Sequence, residues 1–391
     1  MSKPIPVVCV QEGELASAGL SSAQLAWAQA SDFSGQRGRL LPVPDAQSAL
    51  TSYLFGMGAT TDRPTMVTGL AGTALPAAHY CLEGAIGDPT MAAIGFRLGA
   101  YRFDRYRSAK PAPTLSAPDG ADAAEIDRLV EAALIARDLI NTPANDLGPD
   151  AFEAAIRDFA KARGMDIAVT AGDDLLKANF PLIHAVGRAA AEPPRLIDLS
   201  WGDPAAPKVT LVGKGVTFDT GGLDIKGAAG MLLMKKDMGG AANVLGLAHA
   251  IVSAGLNLRL RVLIPIVENA ISAASFRPGD VLPSRKGLTV EIGNTDAEGR
   301  LILADALALA DEESPELLLD MATLTGAARV ALGPELPPLY TADDELARLL
   351  METGLASDDP LWHMPLWSPY DTMMNSRIAD VNNAGAGGVA G

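Results

Sequence analysis

Two glycine-rich stretches carry most of the residues in this chain that could do chemistry. The first runs Val212-Gly-Lys-Gly-Val-Thr-Phe-Asp-Thr-Gly-Gly-Leu-Asp-Ile-Lys226 and leads on to Met234-Lys-Lys-Asp237-Met-Gly-Gly. The second is Asn294-Thr-Asp-Ala-Glu-Gly-Arg300. Each follows a segment that reads as a strand, and each sets acids and bases in backbone that glycine frees to turn. Gly213-Lys214-Gly215 is not a phosphate loop, because that motif needs four residues between its glycines and a Ser or Thr after its lysine.

The acids say more. Asp219, Asp237, Asp296 and Glu298 are expected at one edge of a parallel sheet, with the glycine after Glu298 letting the second stretch turn both of its acids inward. Four carboxylates facing one cavity repel and raise one another's pKa. Two divalent cations would cancel that charge and leave Lys226 and Arg300 to meet an anionic intermediate, so a two-metal centre is the economical reading. Spacing alone leaves solvated surface acids as an equal alternative.

The elements that must position these residues follow from hydrophobic patterning. From residue 195 on, strands and helices alternate. Val209–Gly213, Leu260–Val267, Leu288–Ile292 and Glu316–Ala322 read as strands, and Met231–Ala254 and Leu301–Asp311 as helices. Near-continuous apolar strands between helices predict a central mixed, mostly parallel sheet covered on both faces. Sites in such sheets form in loops at the carboxyl ends of strands. Upstream, Ser108–Asp122 is rich in Pro, Ala and Ser and reads as a linker. The expected organisation is a small N-terminal α/β domain with its linker over 1–118 and a larger C-terminal α/β/α domain over 119–391. A helix is predicted over Ala124–Asn141, where Ile126, Leu129, Val130, Ala133 and Leu134 recur at helical spacing.

Composition removes several classes. Lys and Arg number 31 against 47 Asp and Glu, a net charge of -16, which argues against a general nucleic-acid binder or a polybasic membrane-surface protein. Cys9 and Cys81 cannot build a disulfide framework. With no signal-like N-terminus and no apolar run of about 18 residues, a soluble, cytoplasmic protein is expected. His79, His184, His249 and His363 lie outside both stretches and read as structural. Tyr101–Arg107 interleaves basic and aromatic residues, as nucleic-acid stacking surfaces do. An alternating edge strand explains it equally, and the acidic charge favours the strand.

Both stretches resemble the signatures of the M17 family, the leucyl aminopeptidases. NTDAEGRL (Asn294–Leu301) is that family's hallmark, and GKGVTFDTGGLDIK followed by MKKDMGGAA matches as well. The resemblance runs from about Ala133 to the end, taking in Asn141–Pro149 and Pro365–Tyr370, and is weaker over the first hundred residues. It implies a metallo-aminopeptidase that uses two divalent ions, Mn2+ or Zn2+, to release a leucine-like N-terminal residue from peptides, assembled as a homohexamer. Asp219 and Glu298 would bridge the metals. Asp237 and Lys214, the lysine as a neutral amine, would complete the tighter site, and Asp296 would hold the exchangeable ion through side chain and backbone carbonyl. Lys226 would polarise the scissile carbonyl, and Arg300 would hold a bicarbonate acting as general base. Met234, Thr323, Leu324 and Gly326 would line the pocket for the substrate side chain.

The rival is a non-catalytic DNA-binding or scaffold hexamer that keeps the site as a relic, against which seven matched groups argue. The chain closes on the Gly-rich Asn382–Gly391, where members of the family continue with a helix, a strand and a pocket-lining loop. The resemblance therefore implies an incomplete C-terminal end.

Overall fold

The computed structural model describes residues 3–59, 66–108 and 111–385. The Gly-rich end from residue 386 lies outside them. The chain divides into two compact units, one of residues 1–134 with 348–360, the other of 135–347 with 361–391.

The first unit is a five-stranded sheet of β1 (Ile5–Gln11), β2 (Leu40–Pro44), β3 (Leu50–Gly58), β4 (His79–Gly84) and β5 (Thr114–Leu115), in the order β2-β3-β1-β4-β5. Val7, Cys9, Phe55, Tyr80 and Phe96 are buried in its core. The helix Pro89–Gly99 starts where its local chemistry dictates. The Asp88 carboxylate accepts the Met91 N–H at 2.9 Å, and Pro89 fills the first turn, where no amide donor is needed.

Two expectations for this region change. The stretch expected to be only a linker contributes β5, which pairs parallel with β4. Tyr101–Arg107 is irregular chain with a turn at Arg105–Tyr106, not an edge strand. The Arg102 guanidinium folds back onto the carbonyls of Gly99, Tyr101 and Thr73, and the Arg107 N–H closes a turn on Asp104 O.

The second unit holds β6 (Asp166–Ala171), β7 (Arg195–Trp201), β8 (Lys208–Gly213), β9 (Gly215–Asp219), β10 (Arg259–Asn269), β11 (Val281–Pro283), β12 (Thr289–Glu291), β13 (Leu317–Met321), β14 (Pro338–Tyr340), β15 (Trp362–Met364) and β16 (Val381–Asn382). The main sheet runs β13-β8-β10-β7-β6, with β9 also paired to β10. Its β13–β8, β8–β10 and β9–β10 pairings are parallel, while β10–β7 and β7–β6 are antiparallel. The sheet is thus mixed and mostly parallel, as the apolar strands predict.

Strand β10 shows why both faces are covered. Leu260, Val262, Ile264 and Ile266 enter one core, with residues of the helices Pro149–Arg163 and Gly239–Ala254. Leu263 and Val267 enter the other, with residues of Pro181–Gly187 and Gly299–Asp311. Each such side chain, fully buried, contributes about 1.5–3 kcal/mol.

The helix expected over Met231–Ala254 starts only at Gly239. Before it lie a one-turn helix, Ala228–Met231, and a 3-10 turn, Met234–Met238. That tighter turn carries the inward-facing Asp237, which a continuous helix would have carried on a different path. The strand expected over Leu288–Ile292 is β12, but it joins β11 and β16 in a separate three-stranded sheet.

Candidate metal centre

Lys214 is the single residue between β8 and β9. Its backbone N–H donates to Met321 O at 3.0 Å, and its carbonyl accepts from the Ala241 N–H at 2.9 Å, which ties it to the end of β13 and to the helix Gly239–Ala254. Asp219 ends β9 opposite Asn269, the last residue of β10. Asp237 lies within the 3-10 turn Met234–Met238. Glu298 occupies the position capping the helix Gly299–Asp311. Asp296 precedes it in a turn held by the Asp296 N–H donating to Asn294 Oδ1 at 2.7 Å.

These groups converge. Lys214 Nζ lies 2.6 Å from Asp237 Oδ2 and 3.0 Å from Glu298 Oε1. Lys226 Nζ lies 2.9 Å from Asp219 Oδ2 and also contacts Asp296 Oδ1. One oxygen each from Asp219, Asp296 and Glu298 fall within 4.8 Å of one another. Asp237 joins that trio through Lys214. Asp219, Asp237, Glu298 and Lys214 are each at most 3% exposed.

Four carboxylates share two enclosed ammoniums and that of the half-buried Lys236, 3.1 Å from Asp237 Oδ1, and the uneven pairing shows in their proton affinities. Burial, then repulsion from Asp219 and Asp237, pushes Glu298 up to about 8 against the pull of Lys214. Asp296 is raised by burial and by Asp219, although Lys226 opposes both. Asp237 goes the other way, because Lys214 and Lys236 outweigh its burial. Burial disfavours charge on Lys214 most, yet Glu298 and Asp237 hold its ammonium above the ordinary lysine range. Desolvation lowers Arg300, whose buried Nε has no hydrogen-bond partner among the described residues. Uncompensated hard oxygen donors at this spacing fit divalent cations, with Asp219, Asp237, Asp296, Glu298 and Lys214 as the groups able to hold them.

Several polar residues around the site escaped the sequence reading. Asp224 Oδ2 accepts from the Thr295 N–H at 2.8 Å, and Thr295 Oγ1 donates to Gly221 O at 2.7 Å, so the two stretches are latched together. Asn383, buried, accepts from the Gly293 N–H at 2.8 Å and donates to Asn294 O at 2.7 Å. Asn269 Nδ2 bonds both Asp219 and Thr295. A polar residue closing an apolar strand is the one sequence signal that could have pointed to Asn269.

Of the expected pocket residues, Thr323 donates from Oγ1 to Asp237 Oδ1 at 2.7 Å, so it touches a proposed ligand. Met234 opens the turn that carries Asp237, Leu324 is 44% exposed beside Thr323, and Gly326 caps the helix Ala327–Leu332 in open space. The histidines are engaged elsewhere. His79 sits between Thr114 and Ser116, His184 on Asp173, His249 on Arg163 and His363 on Thr341 O.

Three details of the expected geometry differ. The first stretch is not loop throughout, since Gly215–Asp219 is a strand whose first residue lies so near Pro265 O that a β-carbon there would be 2.5 Å away. The acids do not share one sheet edge, because the second stretch leaves the small sheet through β12. Glu298 turns inward as part of a helix start, with αR backbone at φ -72°, and not through freedom lent by Gly299.

Residues 134–391 match the cytosol aminopeptidase family, catalytic domain, and residues 5–118 match the M17 aminopeptidase N-terminal domain. A probable cytosol aminopeptidase of Xanthobacter autotrophicus is 42% identical over 308 residues, 75% of this chain and 62% of that protein. The chain thus spans under two thirds of that relative's length. The crystal structure of the cytosol aminopeptidase from Coxiella burnetii superposes with a TM-score of 0.93 at 44% identity, covering 100% of this chain and 86% of that one. The bottromycin maturation enzyme BotP, in complex with Mn, gives 0.87 at 33% identity, covering 98% and 86%. The chain belongs to the cytosol aminopeptidase family.

Proposed function

We propose that this chain is a metallo-aminopeptidase that hydrolyses the N-terminal residue, preferably one like leucine, from peptides. The observation that carries the reading is the convergence of Asp219, Asp296 and Glu298 within 4.8 Å, with Lys226 beside two of them and Lys214 beside the third. Two divalent ions, Mn2+ or Zn2+, would when bound supply Lewis acidity and a water acidic enough to attack at neutral pH.

The chain's own residues would do the rest. Asp219 and Glu298 would bridge the ions, Asp237 and Lys214 would complete one site, and Asp296 the other. Lys214 would hold its ion as a neutral amine, its extra proton released to solvent as the site is filled. Lys226 would donate to the carbonyl oxygen as it gains charge. Arg300, whose buried Nε has no hydrogen-bond partner among the described residues, would hold a bicarbonate serving as general base. Met234, Leu324 and Gly326, with only the methyl of Thr323, would line the substrate pocket, where each buried methylene contributes about 0.8 kcal/mol.

The same reading extends to a homohexamer, with residues 1–118 serving assembly and 119–391 catalysis, and to a cytoplasmic location. Leucine p-nitroanilide hydrolysis after exhaustive chelation, with metal content checked by elemental analysis, tests it. Activity should vanish and return with Mn2+, Zn2+ or Co2+. Full turnover by verified metal-free protein would sink the reading.

A further inference from the structure

We propose that Asn269 is a positioning residue of the metal centre, holding the two acid-bearing stretches at the separation a dinuclear site requires. The proposal rests on the two-metal reading above. Asn269 is fully buried and ends the central strand β10, which pairs with β7, β8 and β9. Its Nδ2 donates to Asp219 Oδ1 at 2.9 Å and to the Thr295 carbonyl at 3.1 Å. Its backbone carbonyl accepts from Thr220 Oγ1 at 2.7 Å and from the Thr220 N–H at 3.2 Å. One residue that belongs to neither stretch therefore grips both, one residue from Asp296 on one side and on Asp219 itself on the other.

The grip also decides which oxygen of Asp219 faces the site. Oδ1 is taken by Asn269 Nδ2 and by the Gly221 N–H at 2.9 Å. Oδ2 is the oxygen that meets Lys226 Nζ, at 2.9 Å. The amide orientation is forced, since the flipped form would set Asn269 Oδ1 against a carboxylate and a carbonyl, neither of which can donate. The consequence is visible. Asn269 Oδ1 is buried with no hydrogen-bond partner among the described residues, and an unsatisfied acceptor of this kind persists where the donor end has a task. An aspartate here would repel Asp219, and an alanine would leave the Thr295 carbonyl without this donor.

The test compares wild type with Asn269→Asp and Asn269→Ala, each as the full chain stripped of metal and titrated with Mn2+. The readouts are apo melting temperature, Mn2+ affinity by chelator competition, and the electron paramagnetic resonance spectrum at two Mn2+ per chain. Wild type should take two ions and show the spectrum of a spin-coupled pair. The variants should fold, bind at least one ion about 10–100-fold more weakly, as loss of groups that orient ligands typically does, and show uncoupled Mn2+. Wild-type affinities and a coupled spectrum in both variants would overturn the proposal. So would failure of both variants to fold, which would make Asn269 a folding determinant. If wild type itself binds fewer than two ions, the two-metal reading falls, and this proposal with it.

Discussion

A β-carbon on Gly299 would lie 2.3 Å from Cε of Lys214 and 2.7 Å from its Nζ. The glycine of the second stretch is therefore there for space, at a φ any residue could adopt. The nearest atoms belong to the far end of a flexible side chain, so Gly299→Ala should fold, with the lysine swung away from Asp237 and Glu298. We expect a melting temperature close to wild type together with at least a tenfold weaker tight metal site. Dialysis against a weak chelator followed by elemental analysis reads this directly, and retention of metal at the wild-type level would show that Lys214 does not help to hold it.

Ligand and catalyst separate at Asp219 and Lys226, although the two touch at 2.9 Å. Asp219→Asn replaces an anion by a neutral amide and should lose metal and activity together. Lys226→Met removes a cation from beside two carboxylates, which does not weaken their attraction for metal. It should keep both ions and lose about 10²–10³ in kcat, the usual effect of removing one donor to a developing oxyanion. Metal content and steady-state kinetics on the same preparations decide it. A Lys226→Met protein without metal, or with near-normal kcat, refutes the assignment.

What could be read from the sequence and what could not divide along a physical line. Strands such as β10 are apolar on both faces, so burial alone fixes their type and their place in a covered, mostly parallel sheet. The acid-bearing stretches were legible as chemistry because glycines and charges cluster there. Their supports were not. Asn269, Thr295 and Asn383 act through a few hydrogen bonds between segments up to 90 residues apart, which no local period encodes. The late start of the helix at Gly239 was hidden for a related reason. Met231–Met238 has helix-compatible residues, and it is the tertiary demand to bring Asp237 to Lys214 that fixes the 3-10 turn.

Asp305, about two turns along the helix that Glu298 caps, should set part of the pH dependence of stability. It is fully buried, and accepts from the Leu182 and Arg285 N–H groups at 2.8 Å each and from Ile183 at 3.3 Å. Burial still dominates and lifts it from 3.8 to about 6. Between those values the folded chain holds a proton that the unfolded chain has released. The contribution is thus fully present below about pH 4 and lost as pH rises through 6, amounting to roughly 3 kcal/mol. Unfolding free energies of metal-free wild type and Asp305→Asn should be compared from pH 4 to 7. Wild type should lose stability relative to the variant by up to that amount, and a difference independent of pH would show that Asp305 is ionised throughout.

Thr323 can be assigned to the pocket or to the metal by a single isosteric change. Its hydroxyl donates to Asp237 Oδ1 at 2.7 Å, on the opposite side of that carboxylate from the Oδ2 that meets Lys214. Thr323→Val keeps the shape and removes the donor. If the hydroxyl orients Asp237, metal affinity should fall about tenfold, the lower end for a group that positions a ligand, and kcat should recover at high Mn2+ with KM for leucine substrates unchanged. If Thr323 instead lines the pocket, metal affinity should stay and KM should move, since the site would gain a methyl where a hydroxyl stood. Titrating Mn2+ at fixed substrate, then substrate at saturating Mn2+, separates the two. The 2.7 Å contact leads us to expect the first outcome, and an unchanged Mn2+ titration would reject it.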